Sequence, residues 1–247
     1  MNHAKTIFAT LTYVIFFIIL LPATSALAEE APVLDQDPHK NKIGFFDIHI
    51  CNWPERQRFF KILFSTEKYN DVAEMEVFDP SGASLAVLEK SRFKKLVRKN
   101  KPEKRVFIVD LDMPDSVTTG WYSIKVKTTD GKEYLARDYV PLSRINRVTD
   151  MTPSSEDSSF PLPITLAWSK VPGAGFYKVF IRDEWTGELV FKTKLISENE
   201  LKIPDSKLQP GGYYSWVVHA RDINEHILLG DFHMGSMSKK SFFTVAD

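Results

Sequence analysis

Apolar and polar residues alternate along most of the chain. Phe46, Ile48 and Ile50 are separated by Asp47 and His49, and Phe60, Ile62 and Phe64 repeat the pattern. Side chains of a strand point alternately to opposite faces, so each run predicts a strand with one face on a core and one toward water. Residues 74–78 form another such run, closed by Asp79-Pro80-Ser81-Gly82, a strong turn signal, with 85–88 as the return strand. Residues 105–111 and 120–126 follow, then a turn at 129–132 and a further strand over 133–139. In that last hairpin Tyr122, Ile124 and Val126 share one face, and Trp121, Ser123, Lys125 and Lys127 the other; the first set is expected in the core. About seven short strands with regular turns predict a β-sandwich over residues 43–142.

A proline-rich stretch follows, with Pro141, Pro153, Pro161 and Pro163 around a Ser/Asp cluster at 154–159. It marks a boundary near Ser143, with Ile145 and Val148 beginning the first strand of a second domain over 143–247. There the chain reads T-L-A-W, then V-P-G-A-G-F-Y-K-V-F-I-R-D, then L-Q-P-G-G-Y-Y-S-W-V-V-H-A-R-D. Each strand is stopped by Gly or Pro. Asp183-Glu184-Trp185-Thr186-Gly187 reads as a hairpin loop and 241–245 as the closing strand.

The order of large residues in this half resembles a fibronectin type III domain over about 100 residues. The resemblance implies that Trp168 is the core tryptophan of the second strand, Tyr177 the aromatic of the third, and Leu208 and Tyr214 the pair around the turn into the sixth. It also implies that the Tyr214 hydroxyl returns to backbone near Leu208. Two features depart from the pattern: there is no Arg-Gly-Asp, and the last loop, 223–240, is long. The run G-W-Y-S-I-K-V-x-x-x-D-G at 120–131 is loosely similar to the closing hairpin of bacterial immunoglobulin-like domains. The expected fold is all-β: two tandem antiparallel β-sandwich domains, immunoglobulin-like and then fibronectin type III-like.

The N-terminus adds a compartment. Lys5 precedes an apolar run from Ile7 to Leu21, Pro22 ends it, and Ala26-Leu27-Ala28 is a small-x-small cleavage pattern. The run is about 15 residues, short of the roughly 20 that span a bilayer. Residues 1–28 are therefore expected to be a cleaved signal peptide, followed by a flexible polar leader at 29–42. The chain is expected in the periplasm or outside the cell, in a bacterial setting. Cys51 is the only cysteine, so no intramolecular disulfide can form and the fold rests on its core. Cys51 itself reads as a small buried hydrophobe.

Composition excludes more than it selects. Lys+Arg and Asp+Glu both number 32, so no global field favours nucleic acid. No zinc-protease helix motif, phosphate loop or nucleophile elbow occurs, and no catalytic residue, cofactor or metal signature is assigned. The S-x-x-K matches at 91–94 and 236–239 are short enough to arise by chance. His226, Asp231 and His233 could reach a divalent metal if the last loop folds back, but solvated loop histidines are the plainer reading.

One local charge feature remains. Residues 90–105 carry Lys90, Arg92, Lys94, Lys95, Arg98, Lys99, Lys101, Lys104 and Arg105 against a single acid, Glu103. Phe93, Leu96 and Val97 sit at helical spacing, which suggests a short amphipathic helix or a structured loop. Such a segment suits an acidic envelope protein, an anionic envelope polymer or lipid head groups; a solvated loop neutralised by nearby acids is the alternative. Trp53, Trp121 and Trp185 are a second candidate surface, as platforms for sugar rings. The leading expectation is a non-enzymatic exported protein that acts through protein contacts or as a structural module, with a carbohydrate-binding accessory module as the alternative. An enzyme assisted by metal at the last loop is a third.

Overall fold

The computed structural model of the protein describes residues 37–154, 159–222 and 233–247. The expected signal peptide, leader residues 29–36, His226 and Asp231 lie outside the described residues. Within them the fold is all-β, with sheets packed face to face in two sandwiches.

The first sandwich contains β1 (Phe45–Asn52), β2 (Phe59–Thr66), β3 (Val72–Phe78), β4 (Ser84–Val87), β5 (Phe93–Leu96), β6 (Lys104–Asp112), β7 (Gly120–Thr128) and β8 (Glu133–Val140). One layer runs β1-β2-β6-β5 and the other β4-β3-β7-β8. The alternation in the sequence decides which side chains meet: Phe46, Ile48, Ile50, Phe60, Ile62 and Phe64 from one layer pack on Met75, Val77, Tyr122, Ile124 and Val126 from the other. The β3–β4 turn forms because the Asp79 carboxylate accepts from the backbone N–H of Ser81 and Ala83, at 2.8 and 3.0 Å, while Gly82 supplies a φ of 85°.

The second sandwich contains β9 (Ser159–Phe160), β10 (Thr165–Ala167), β11 (Phe176–Asp183), β12 (Leu189–Lys192), β13 (Glu200–Lys202), a 3-10 turn at Asp205–Lys207, β14 (Tyr213–Arg221), β15 (Met234–Met237) and β16 (Ser241–Val245). Trp168, Tyr177, Leu208 and Tyr214 are all buried in its core. The Tyr214 hydroxyl accepts from the Gln209 N–H at 2.9 Å, one residue beyond Leu208, which pins the turn into β14. Trp216 is a further core residue, larger than any other fully buried side chain, and donates its indole N–H to the Pro153 carbonyl at 3.0 Å.

The two sandwiches are not separate sheets. β15 pairs antiparallel with β14 and parallel with β1, Ile50 opposite Met234, so one sheet runs β12-β11-β14-β15-β1-β2-β6-β5. Met234 packs against both cores.

Five expectations change. Part of the long last loop is strand β15, because its backbone completes the ladder between β14 and β1. β1 is buried on both faces, not one: Asp47 and His49 are 2% and 7% exposed, since β1 lies inside the sheet. The basic segment holds an edge strand where a helix had been allowed, because Phe93 pairs with Phe107 across β5 and β6. Ile145 and Val148 enter the second core without forming a strand, since the carbonyls of Ile145 and Asn146 accept from the side chains of Asn52 and Ser236. The described part of the leader is held in place: Asn41 caps Ile43 and Gly44, and Lys40 bridges Phe45.

Candidate interaction site

The basic residues are gathered on the β5–β6 hairpin at one end of the long sheet. β5 pairs only with β6, so its other edge is open. Lys94 and Lys95 stand on the strand, Lys90 and Arg92 lead into it, and Arg98, Lys99 and Lys101 form the tip, turned by Asn100 at φ 60°. All seven cations are exposed, and among the described residues none has a carboxylate within ion-pair distance. Cations elsewhere in the first sandwich differ: Lys61 on β2 pairs with Asp110 at 2.5 Å, Lys104 on β6 with Glu67 at 3.6 Å, and on β7 of the facing sheet Lys125 pairs with Glu133 and Lys127 with Glu74, both at 3.8 Å. Arg105, at the base, spends its guanidinium on the rings of Tyr69 and Phe93, 4.0 and 4.3 Å away.

Beside the tip lies a groove of about 260 Å³. Phe45, Leu63, Leu96 and Val106 line its apolar part, Lys40, Arg98 and Lys104 its basic part, and Asp47 and His49 its polar end.

The three tryptophans have different settings. Trp53 rests edge-on against Phe59 at 5.1 Å with the Lys61 ammonium 5.4 Å from its ring. Trp121 is enclosed by Tyr139 at 5.3 Å and the Arg137 guanidinium at 5.1 Å. Only Trp185 is open, 76% exposed, and it continues into Tyr213 and then Phe242 with centroids 5.9 Å apart at each step. Of the two S-x-x-K serines, Ser236 is buried and donates to the Asn146 carbonyl at 2.7 Å, and Ser91 lies exposed beside β5.

A second polar constellation is buried where β1, β8 and β15 meet. Asp138 is fully buried; one carboxylate oxygen accepts from the Ile48 N–H at 2.7 Å, and the other lies 3.1 Å from His39 Nε2 and 3.8 Å from His233 Nε2. His39 Nδ1 faces Asp37 Oδ1 at 2.9 Å. Burial alone lowers the His39 pKa, but the hydrogen bond and charge of Asp138, the hydrogen bond of Asp37 and the charge of Asp47 override it and lift it to about 9. On the other face of β1, His49 bonds Asp47 at 2.6 Å. His219 on β14 accepts from the Arg221 guanidinium at 3.3 Å. Burial first, then the charges of Arg221, His49, Lys178 and Lys61, hold the His219 pKa well below its ordinary value. Burial raises Asp222, whose carboxylate accepts from the Met234 N–H at 2.9 Å. Cys51 is buried, and burial pushes its thiol up to about 12.

His39 and Asp138 were not among the sequence candidates. A signal existed for Asp138: it shares strand parity with the buried Ala136 and Val140, which puts a carboxylate on a core-facing position. His39 carried none, since its partner is 99 residues away.

Neither a family model nor a curated protein matches the chain. Similar solved structures include the FN1–FN3 domains of chicken CNTN1, at 15% identity over 81% of this chain and 66% of that one, with a TM-score of 0.37. DIP-gamma IG1+IG2 aligns at 16% identity over 87% and 100%, with a TM-score of 0.23. The Bacteroides ovatus mixed-linkage glucan locus protein SGBP-B, solved with a heptasaccharide, aligns at 12% identity over 78% and 42%, with a TM-score of 0.22. These are immunoglobulin-like, fibronectin type III-like and glycan-binding chains, and the likeness is one of fold alone.

Proposed function

We propose that the protein is a non-enzymatic, exported binding module that takes an acidic segment of an envelope protein along the β5–β6 hairpin. The observation that carries this reading is the contrast in pairing: seven exposed cations around β5 and the hairpin tip lack carboxylates, while Lys61 on β2, Lys104 on β6, and Lys125 and Lys127 on β7 of the facing sheet have them. Like charges held together repel one another, and an acidic partner relieves that repulsion. The open edge of β5 adds unpaired N–H and C=O groups, to which an extended peptide can add as a strand. Lysines on an edge discourage neutral strands from pairing there, so the same residues that attract an acidic segment reject others. Export rests on the pattern of residues 5–28; N-terminal sequencing of the protein from fractionated cells tests it, with Glu29 expected first.

Crosslinking in intact cells, followed by recovery of the partner, tests the binding reading. Changing Lys94, Lys95, Arg98 and Lys99 together to Glu is expected to abolish recovery, and wild-type recovery is expected to fall steeply with added salt. Recovery unchanged by the four substitutions removes the hairpin from the account.

A second reading, a glycan-binding module, is favoured by one observation, the exposed Trp185 continuing into the half-buried Tyr213 and Phe242. It predicts a tryptophan fluorescence shift with an envelope or storage glycan that Trp185→Ala abolishes; no shift across a broad glycan panel counts against it.

A further inference from the structure

We infer that His39, Asp138 and His233 form a binding site for one divalent transition-metal ion of the zinc type. Their donor atoms, two imidazole nitrogens and one carboxylate oxygen, all lie within 4.8 Å of one another. A tetrahedral ion with bonds of about 2.0–2.1 Å places its ligand atoms about 3.3 Å apart. The separations from Asp138 Oδ1 to the two Nε2 atoms, 3.1 and 3.8 Å, bracket that value. Two imidazoles with one carboxylate suit zinc, cobalt or nickel, whereas calcium and magnesium take oxygen.

The outer groups point the same way. Metal-bound histidines generally hold a carboxylate or carbonyl on the second ring nitrogen, which fixes the ring and its tautomer. His39 does so with Asp37 Oδ1 at 2.9 Å on Nδ1, leaving Nε2 directed at Asp138. Asp138 is oriented by the Ile48 N–H on its second oxygen, and the backbone of His233 is fixed by its carbonyl, which accepts from the Ile50 N–H at 2.7 Å. The His233 side chain is 25% exposed, which opens a path for the ion and for a water as fourth ligand. Because the ligands come from the segment before β1, from β8 and from the residue before β15, a bound ion ties β15 to the first sandwich at the seam where the two sheets become one.

The test uses tag-free full-length protein, stripped with a chelator, dialysed and titrated with Zn²⁺ by calorimetry, with Co²⁺ as a spectroscopic probe. The expected result is one ion per chain, an intense visible Co²⁺ spectrum characteristic of tetrahedral coordination, and a higher unfolding temperature with Zn²⁺. His233→Gln, at the more exposed position, is expected to keep its far-ultraviolet dichroism and to lose affinity about 100-fold or more; Asp37→Asn, which removes only the orienting carboxylate, is expected to lose about 10–100-fold. Folded wild type that takes up no stoichiometric ion overturns the inference. So does wild-type affinity retained in both His233→Gln and His39→Gln.

Discussion

Two regions of the molecule treat charge in opposite ways. At the open end, on β5 and the hairpin tip, seven cations face water without carboxylates. Around β1, where it lies between β2 and β15 and packs on β8, titratable side chains are largely buried and matched at short range: His39 with Asp37 and Asp138, and His49 with Asp47. The difference follows from solvent. Water screens the exposed group, so an unpaired charge there costs little and stays available to a partner. Inside, an unpaired charge costs several kcal/mol, so each must be answered within the fold. The end of the sheet therefore keeps its charge open to solvent, and the buried seam answers its charge within the fold.

Breaking the buried seam is expected to have the largest effect. Asp138→Ala strips His39 and the Ile48 N–H of a buried partner, and a loss of about 3–5 kcal/mol in urea unfolding is expected. A loss below about 1 kcal/mol means that water replaces the carboxylate and that the junction is not dry.

Cys51 reports on the same seam, since it pairs with Gly235 on β15 and Phe59 on β2. With its thiol pKa pushed to about 12 and its side chain buried, it is expected to react with a thiol reagent only as fast as the protein opens. Rapid modification under native conditions shows β1 and β15 parting freely.

His219 gives the junction a pH dependence. Its pKa is depressed in the folded state, so below about pH 6.5 the unfolded chain binds a proton that the folded chain refuses. Stability is expected to fall as pH drops through that range, by roughly 1 kcal/mol per pH unit, and His219→Gln is expected to flatten the decline. An unaltered acid limb in that variant assigns the decline to other groups.

The smallest effect on stability is expected at the open end. The four-fold Glu substitution of Lys94, Lys95, Arg98 and Lys99 is expected to change unfolding free energy by less than about 0.5 kcal/mol per site, as exposed positions do, while removing partner recovery. A cooperative loss of folding instead shows the hairpin to be structural.

Much of this architecture was legible in the chain. Period-two alternation marked β1, β2, β3, β6, β7 and β8 because each buries one or both faces in a packed layer. Asp79 to Gly82 marked its turn because the Asp carboxylate and a glycine with positive φ are local chemistry. Trp168, Tyr177, Leu208 and Tyr214 are buried in the second core, Trp168 one residue beyond β10. The basic patch was visible as composition, though its edge-strand conformation was not: four residues of strand spaced Phe93 to Leu96 are also compatible with one helical turn, and pairing with β6 decided between them.

Local order, turn chemistry and the identity of the core side chains were thus set by the sequence itself, since each depends on residues a few positions apart. Tertiary structure alone decided three things: that β15 completes a ladder begun by β1, that β1 hides its polar face, and that His39, Asp138 and His233 converge on one point. All three depend on contacts between segments far apart in the chain. A residue's charge can be read from its type, but whether water, a partner side chain or a metal ion answers that charge depends on what the fold brings beside it.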